Sequence, residues 1–208
     1  MIYLYIDTSS NYLYSSIVKD NTILGEICEE YGQSLSKVAL PRIVSMFEEN
    51  NIKPNDITNI VVINGPGSFT GIRIGITIAK VFAWSLNIPI TTMTSLEAMS
   101  LSVEDEKIHV PIINARRGYV YAAIYNKDKE LLSPQHIKID ELKKYVEKYN
   151  DIEYISNDEF DEKFKLIEYR PNFLNIINTS KTKKSINPHM VNPEYLKLTA
   201  AEESKIWL

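Results

Sequence analysis

One stretch constrains this chain more than any other. Gly65-Pro66-Gly67-Ser68-Phe69-Thr70-Gly71-Ile72-Arg73-Ile74-Gly75 holds four of its seven glycines. It follows the apolar run Ile60-Val61-Val62-Ile63 and opens a long apolar segment. That order predicts a strand, a tight turn and a helix N-terminus, where free N–H groups and the helix dipole favour an anion. It is either a phosphate site or a structural corner that aims the helix. The stretch lacks the Gly-Lys-Ser/Thr ending of a phosphate loop. Its Gly65, Gly67 and Gly71 fall as G-x-G-x-x-x-G, and no acid follows about 20 positions on, so the dinucleotide fingerprint also fails. The corner is the favoured reading.

Around this stretch the pattern predicts strands at 2–6, 12–19, 22–29, 59–64 and 88–93. It predicts helices from Ser34 to Asn50, broken or kinked at Pro41, and from the glycines to Leu86. Ser95 is read as the cap of a further helix. Three strands joined by short turns are antiparallel neighbours, so the order is not a plain βαβ repeat. A second copy begins near residue 108, with strands at 108–114, 119–125 and 131–139, a helix at 140–149 and a strand at 153–156. Residues 157–192 are polar and weakly periodic. The expectation is two related lobes, 1–103 and 104–208, the second reduced.

Both first-lobe helices carry more apolar surface than one sheet can cover. Leu35, Ala39, Leu40, Ile43, Val44, Met46 and Phe47 span about half of one circumference. On the other helix, Ile72, Ile76, Ala79, Ala83 and Leu86 share one face, with Ile74, Ile78 and Val81 nearly opposite. Burial against neighbouring elements is one explanation; a protein interface is the other. The interface reading selects Leu35, Ala39, Ile43, Met46, Phe69, Arg73, Ile74, Thr77, Ile78 and Val81.

Catalytic signals are sparse. Asp7-Thr8-Ser9 forms an acid-plus-hydroxyl turn of the kind that meets phosphate and magnesium in actin-like ATPases, or makes turn hydrogen bonds only. With Gly67 and Ser68 it defines a vestigial nucleotide or anion site. The matching point of the second lobe is Asn114, which lacks a carboxylate for metal or base chemistry. His109, His136 and His189 are far apart and form no ligand pair, so no metal site is expected. Ser68 is not in a nucleophile elbow. Cys28 stands alone, which excludes an internal disulfide and fits a reducing, cytoplasmic setting. Arg116 and Arg117 are weak anion candidates. A net charge of −4 argues against gripping nucleic acid unaided. No signal peptide or membrane span is expected.

Ile6-Asp7-Thr8-Ser9, Leu40-Pro41, the Gly65–Gly75 block, Thr94-Ser95-Leu96-Glu97-Ala98, Ala115-Arg116-Arg117-Gly118-Tyr119-Val120-Tyr121 and Pro193-Glu194-Tyr195-Leu196-Lys197 resemble the TsaB (YeaZ) family of tRNA threonylcarbamoyladenosine biosynthesis proteins. The resemblance spans nearly the whole chain. It implies an α/β actin/Hsp70-like (ASKHA) fold of two lobes, each a mixed sheet flanked by helices. It implies a noncatalytic subunit that binds and stabilises TsaD and works with TsaE and TsaC on the adenosine beside the anticodon of tRNAs reading codons that start with A. By the same resemblance, no cofactor is bound by this chain, ATP and magnesium serve the assembled complex, and tRNA is met through the complex. A homodimer through the first-lobe helices is expected when TsaD is absent. The alternative is an actin-like ATP-binding protein with weak ATPase activity. The chain departs from the family pattern at Asn114, where aspartate is usual, at Gln33-Ser34, where His-Ser is usual, and in its shortened second lobe.

Overall fold

The computed structural model describes residues 1–127, 129–161 and 164–197. Its first half runs β1 (Ile2–Asp7), β2 (Tyr12–Lys19), β3 (Thr22–Glu30), α1 (Leu35–Glu49), β4 (Asn59–Ile63), α2 (Phe69–Leu86), β5 (Ile90–Met93) and α3 (Ser95–Ser100). The second runs β6 (Ile108–Asn114), β7 (Tyr119–Asn126), β8 (Lys129–Lys138), α4 (Ile139–Val146), β9 (Ile152–Ile155), β10 (Leu166–Ile167) and α5 (Phe173–Ser180).

The two five-stranded sheets have the same plan. Their orders are β3-β2-β1-β4-β5 and β8-β7-β6-β9-β10. In each, the first three strands are antiparallel and the last two join the first strand in parallel. This duplicated mixed sheet is the actin-like fold. The β2–β3 hairpin turns at Asp20-Asn21, both at positive φ, as a two-residue hairpin loop requires. α2 ends where Asn87 enters the left-handed region and its N–H returns to the Ala83 carbonyl.

β1 shows why the first sheet is apolar on both sides. Leu4 and Ile6 enter a core under α1 and α2. Tyr3 and Tyr5 enter a second core shared with α3, α5 and residues of the other lobe. A third core lies beneath α4 on the second sheet. Doubly covered strands need such near-continuous apolar runs.

Two elements differ from the sequence expectation. α1 continues through Pro41, which sits at an exposed position inside the helix rather than breaking it. α3 is capped by Thr94, whose hydroxyl accepts from Glu97 N at 3.1 Å. Ser95 instead donates from its hydroxyl to Pro66 O at 2.5 Å. Thr94→Ala is therefore expected to cost about 1 kcal/mol through loss of the cap, measured by denaturant unfolding.

The polar stretch 157–192 contains α5. Its Phe173, Ile176 and Ile177 are buried in the second core, with Phe173 edge-on to Tyr5 at 5.5 Å between centroids. Further on, Val191 enters the first core and Glu194 N donates to Asn64 O at 2.7 Å. The end of the described chain thus returns to the first sheet and runs beside α2. There Lys80 Nζ donates to Val191 O at 2.9 Å and Arg73 Nε to the Tyr195 hydroxyl at 2.9 Å. By length and composition alone α2 could cross a membrane, but these in-chain contacts and its packing on β4 mark it as a helix of the folded lobe.

Candidate functional site

The glycine corner is closed by the chain itself. Ser68 N donates to Ser9 O at 2.7 Å, and Thr8 Oγ1 donates to Gly71 O at 2.7 Å. The N-cap hydroxyl of Ser68 takes the N–H of Gly71 at 3.2 Å. A Cβ on Gly67 would overlap the Ser9 carbonyl oxygen, and one on Gly71 the Thr8 carbonyl oxygen. A Cβ on Gly75 would lie 2.5 Å from Thr8 Oγ1. The glycines therefore let α2 press onto the end of β1. Gly67 and Ser68 line the wall of the interlobe cleft together with Asp7 and Ser9.

Asp7 is buried beside this corner. Its Oδ1 accepts from Ser9 N at 2.8 Å and its Oδ2 from the Tyr5 hydroxyl at 3.4 Å. Burial raises its pKa, and the bonds from Ser9 and Tyr5 only partly oppose that shift. A raised folded pKa means that ionisation opposes folding, so Asp7 contributes less stability as pH rises through its folded value. Asp7→Asn keeps an oxygen acceptor for Ser9 N. It is expected to unfold at a higher temperature than the parent at pH 7. That advantage should vanish below about pH 4, where both states hold the proton.

Asp7 faces an interlobe cleft of about 520 Å³. The second lobe contributes Asn114, at the end of β6, and Asp158, after β9. Asn114 has no carboxylate, but its N–H donates to Asp158 Oδ2 at 2.7 Å. An acid thus stands beside the expected position, supplied by the next parallel strand. Nothing in the local sequence around Asn157-Asp158 announced it; only the β6–β9 register brings it there. Burial raises the pKa of Asp158 as well. Asn157 ties the lobes together, donating to the Tyr14 hydroxyl at 3.0 Å and accepting from Tyr169 N at 2.7 Å.

The histidines do no site chemistry together. Buried His109 bridges Ser100 and Asp105 at 3.2 and 3.0 Å. His136 lies in β8 between Tyr119 and Tyr121. Among the described residues no group of three His, Cys, Asp or Glu side chains could hold a metal ion. Cys28 is half-buried, and burial pushes its thiol pKa up, away from nucleophilic use.

The helix face splits the interface candidates. Leu35, Ala39, Ile43 and Met46 are buried in the first core, as is Ile78. They present little or no surface, because the lobe's own packing consumes the inner half of the apolar arc of α1 and, for Ile78, the inner side of α2. This corrects their assignment. Ile74 is partly buried, while Arg73 and Thr77 are exposed. The outward apolar residues are Leu40 and Val44 on α1, at 46% and 41% exposure, with Phe69, Val81 and Trp84 on α2, at 54%, 59% and 68%. Leu40, Val44 and Trp84 were not among the selected interface residues; the sequence pattern put Leu40 and Val44 in the same apolar arc as the buried Ile43. At the N-terminal end of α2, the Arg73 guanidinium lies 3.9 Å over the Phe69 ring, which stacks on Tyr195 at 5.2 Å.

A family model described as "TsaD: tRNA N6-adenosine threonylcarbamoyltransferase" matches residues 10–203. The chain is 32% identical to the "tRNA threonylcarbamoyladenosine biosynthesis protein TsaB" of Bacillus subtilis strain 168, over 97% of this chain and 96% of that one. The chain belongs to the TsaB family. The TsaB protein of Escherichia coli K12 is 30% identical over 61% of this chain and 55% of its own. Among solved structures, an uncharacterized Pseudomonas aeruginosa protein with similarity to peptidase YeaZ superposes with a TM-score of 0.79 at 17% identity, over 94% of this chain and 99% of that one. YeaZ from the same organism gives 0.75 at 16%, with the same coverage. These two likenesses establish the two-lobed fold.

Proposed function

We propose that this chain is a noncatalytic TsaB-type subunit of tRNA threonylcarbamoyladenosine biosynthesis that binds and stabilises a TsaD-type transferase. The observation that carries this reading is the outward face of Leu40, Val44, Phe69, Val81 and Trp84 on two adjacent helices. Exposed aromatic and aliphatic side chains grouped on rigid helices are the usual anchors of a protein interface. TsaE and TsaC act with the pair, ATP and magnesium serve the complex, and tRNA is met through it. The setting is the cytoplasm, and two copies pair through the same face when the transferase is absent.

A second reading keeps this chain as an actin-like ATP-binding protein, favoured by Asp7 and Asp158 on opposite lobes of the cleft. A pull-down of the tagged chain from its own organism separates the two. Recovery of TsaD-type and TsaE-type subunits is expected. A chain that recovers neither and binds ATP with magnesium in calorimetry, losing it in Asp158→Asn, would replace the first reading by the second.

A further inference from the structure

One charge stands within the exposed helix face. Phe69, Arg73, Thr77 and Val81 recur every four residues along α2, so they lie one above another on one side of the helix, and all four are exposed. Arg73 therefore sits between two of the outward apolar residues rather than at their margin.

The chain holds this side chain in place without neutralising it. The guanidinium lies 3.9 Å over the Phe69 ring, and its Nε donates to the Tyr195 hydroxyl at 2.9 Å. Tyr195 stacks in turn on Phe69. Tyr195 is itself anchored by its neighbours in the chain: Val191 is buried in the first core, Lys80 Nζ donates to Val191 O, and Glu194 N donates to Asn64 O. Among the described residues no carboxylate pairs with Arg73, and its Nη groups have no hydrogen-bond acceptor. A stacked and tethered arginine has already lost side-chain freedom, so engaging it costs less ordering entropy.

A partner that covers Phe69 and Val81 strips water from the guanidinium between them. A charge desolvated without an opposite charge is strongly unfavourable, so the partner must bring an acceptor. The open fork of Nη N–H groups matches the two oxygens of a carboxylate. We propose, on the basis of the docking proposed above, that Arg73 is a preorganised receptor for an Asp or Glu side chain of the transferase subunit. That subunit's docked surface then carries a carboxylate set among apolar side chains. Tyr195 is a positioning residue, because it aims the fork and touches no partner oxygen through it.

The test is calorimetry of the full chain with the purified TsaD-type subunit of the same organism, without tRNA. Arg73→Ala is expected to weaken binding by about tenfold or more and to reduce its salt dependence. Arg73→Lys keeps the charge but not the fork, and is expected to stay about fivefold or more weaker than the parent. Tyr195→Phe keeps the ring on Phe69 but removes the hydroxyl, and should cost about threefold. Arg73 and Tyr195 are exposed, so thermal midpoints should stay close to the parent's. Arg73→Ala binding like the parent, while Trp84→Asp weakens binding, overturns this inference alone. Arg73→Lys binding like the parent overturns it too, since charge would then suffice. An Arg73 effect that appears only after tRNA is added assigns the fork to phosphate and also overturns it. A parent chain that does not bind the subunit overturns both the inference and the docking on which it rests.

Discussion

Gly71→Ala is expected to destabilise this chain by about 3 kcal/mol, a large value for one added methyl group. For a chain of this length that lowers the midpoint of thermal unfolding by about 6–12 °C. The added Cβ would overlap the Thr8 carbonyl oxygen, which is fixed backbone at the end of β1 and cannot swing aside as a flexible side chain does. Relief requires lifting α2 off the sheet, and the Thr8 Oγ1 bond to Gly71 O would go with it. Gly118→Ala is the control. Gly118 has φ of +74° with open space around it, so alanine there should cost only about 1–2 kcal/mol from backbone strain. Gly71→Ala with a midpoint equal to the parent's would show that the corner is not packed as described.

Trp84→Asp and Val81→Asp are each expected to weaken binding of the TsaD-type subunit by at least about 2 kcal/mol, or roughly thirtyfold. Both side chains are mostly exposed in the free chain, so the folded monomer should lose little stability. A charge there would be buried without a partner only in the complex, which places the cost in binding. Ile43→Asp provides the contrast. Ile43 is fully buried on the inner face of α1, and a carboxylate there should prevent folding rather than report on the interface. Circular dichroism separates the two outcomes before any binding is measured.

How much of this was legible beforehand depended on the range of the interaction. The apolar run Ile60–Ile63 and the glycines that follow it fixed a strand, a corner and a helix, because each rests on local chain geometry. The repeat of three strands made the two lobes visible. Which half of the α1 arc faces out was less legible, since Ile43 and Val44 are equally apolar and only the position of the sheet distinguishes them. α5 was missed because its four buried positions, Phe173, Ile176, Ile177 and Ser180, span two turns set among asparagines and threonines. Asp158 was missed for a different reason. It reaches Asn114 across 44 residues of chain, through a parallel strand pairing that no local pattern encodes.

We propose that the transferase subunit sits on the outward face of α1 and α2. Amide hydrogen exchange of this chain, alone and with the TsaD-type subunit of the same organism, tests it most directly. The expected result is added protection in peptides from Leu35–Glu49 and Phe69–Leu86, with the cleft loops at Asp7–Asn11 and Ser156–Asp158 unchanged. Protection confined to the cleft loops or to α4, with both helices exchanging as in the free chain, would contradict it.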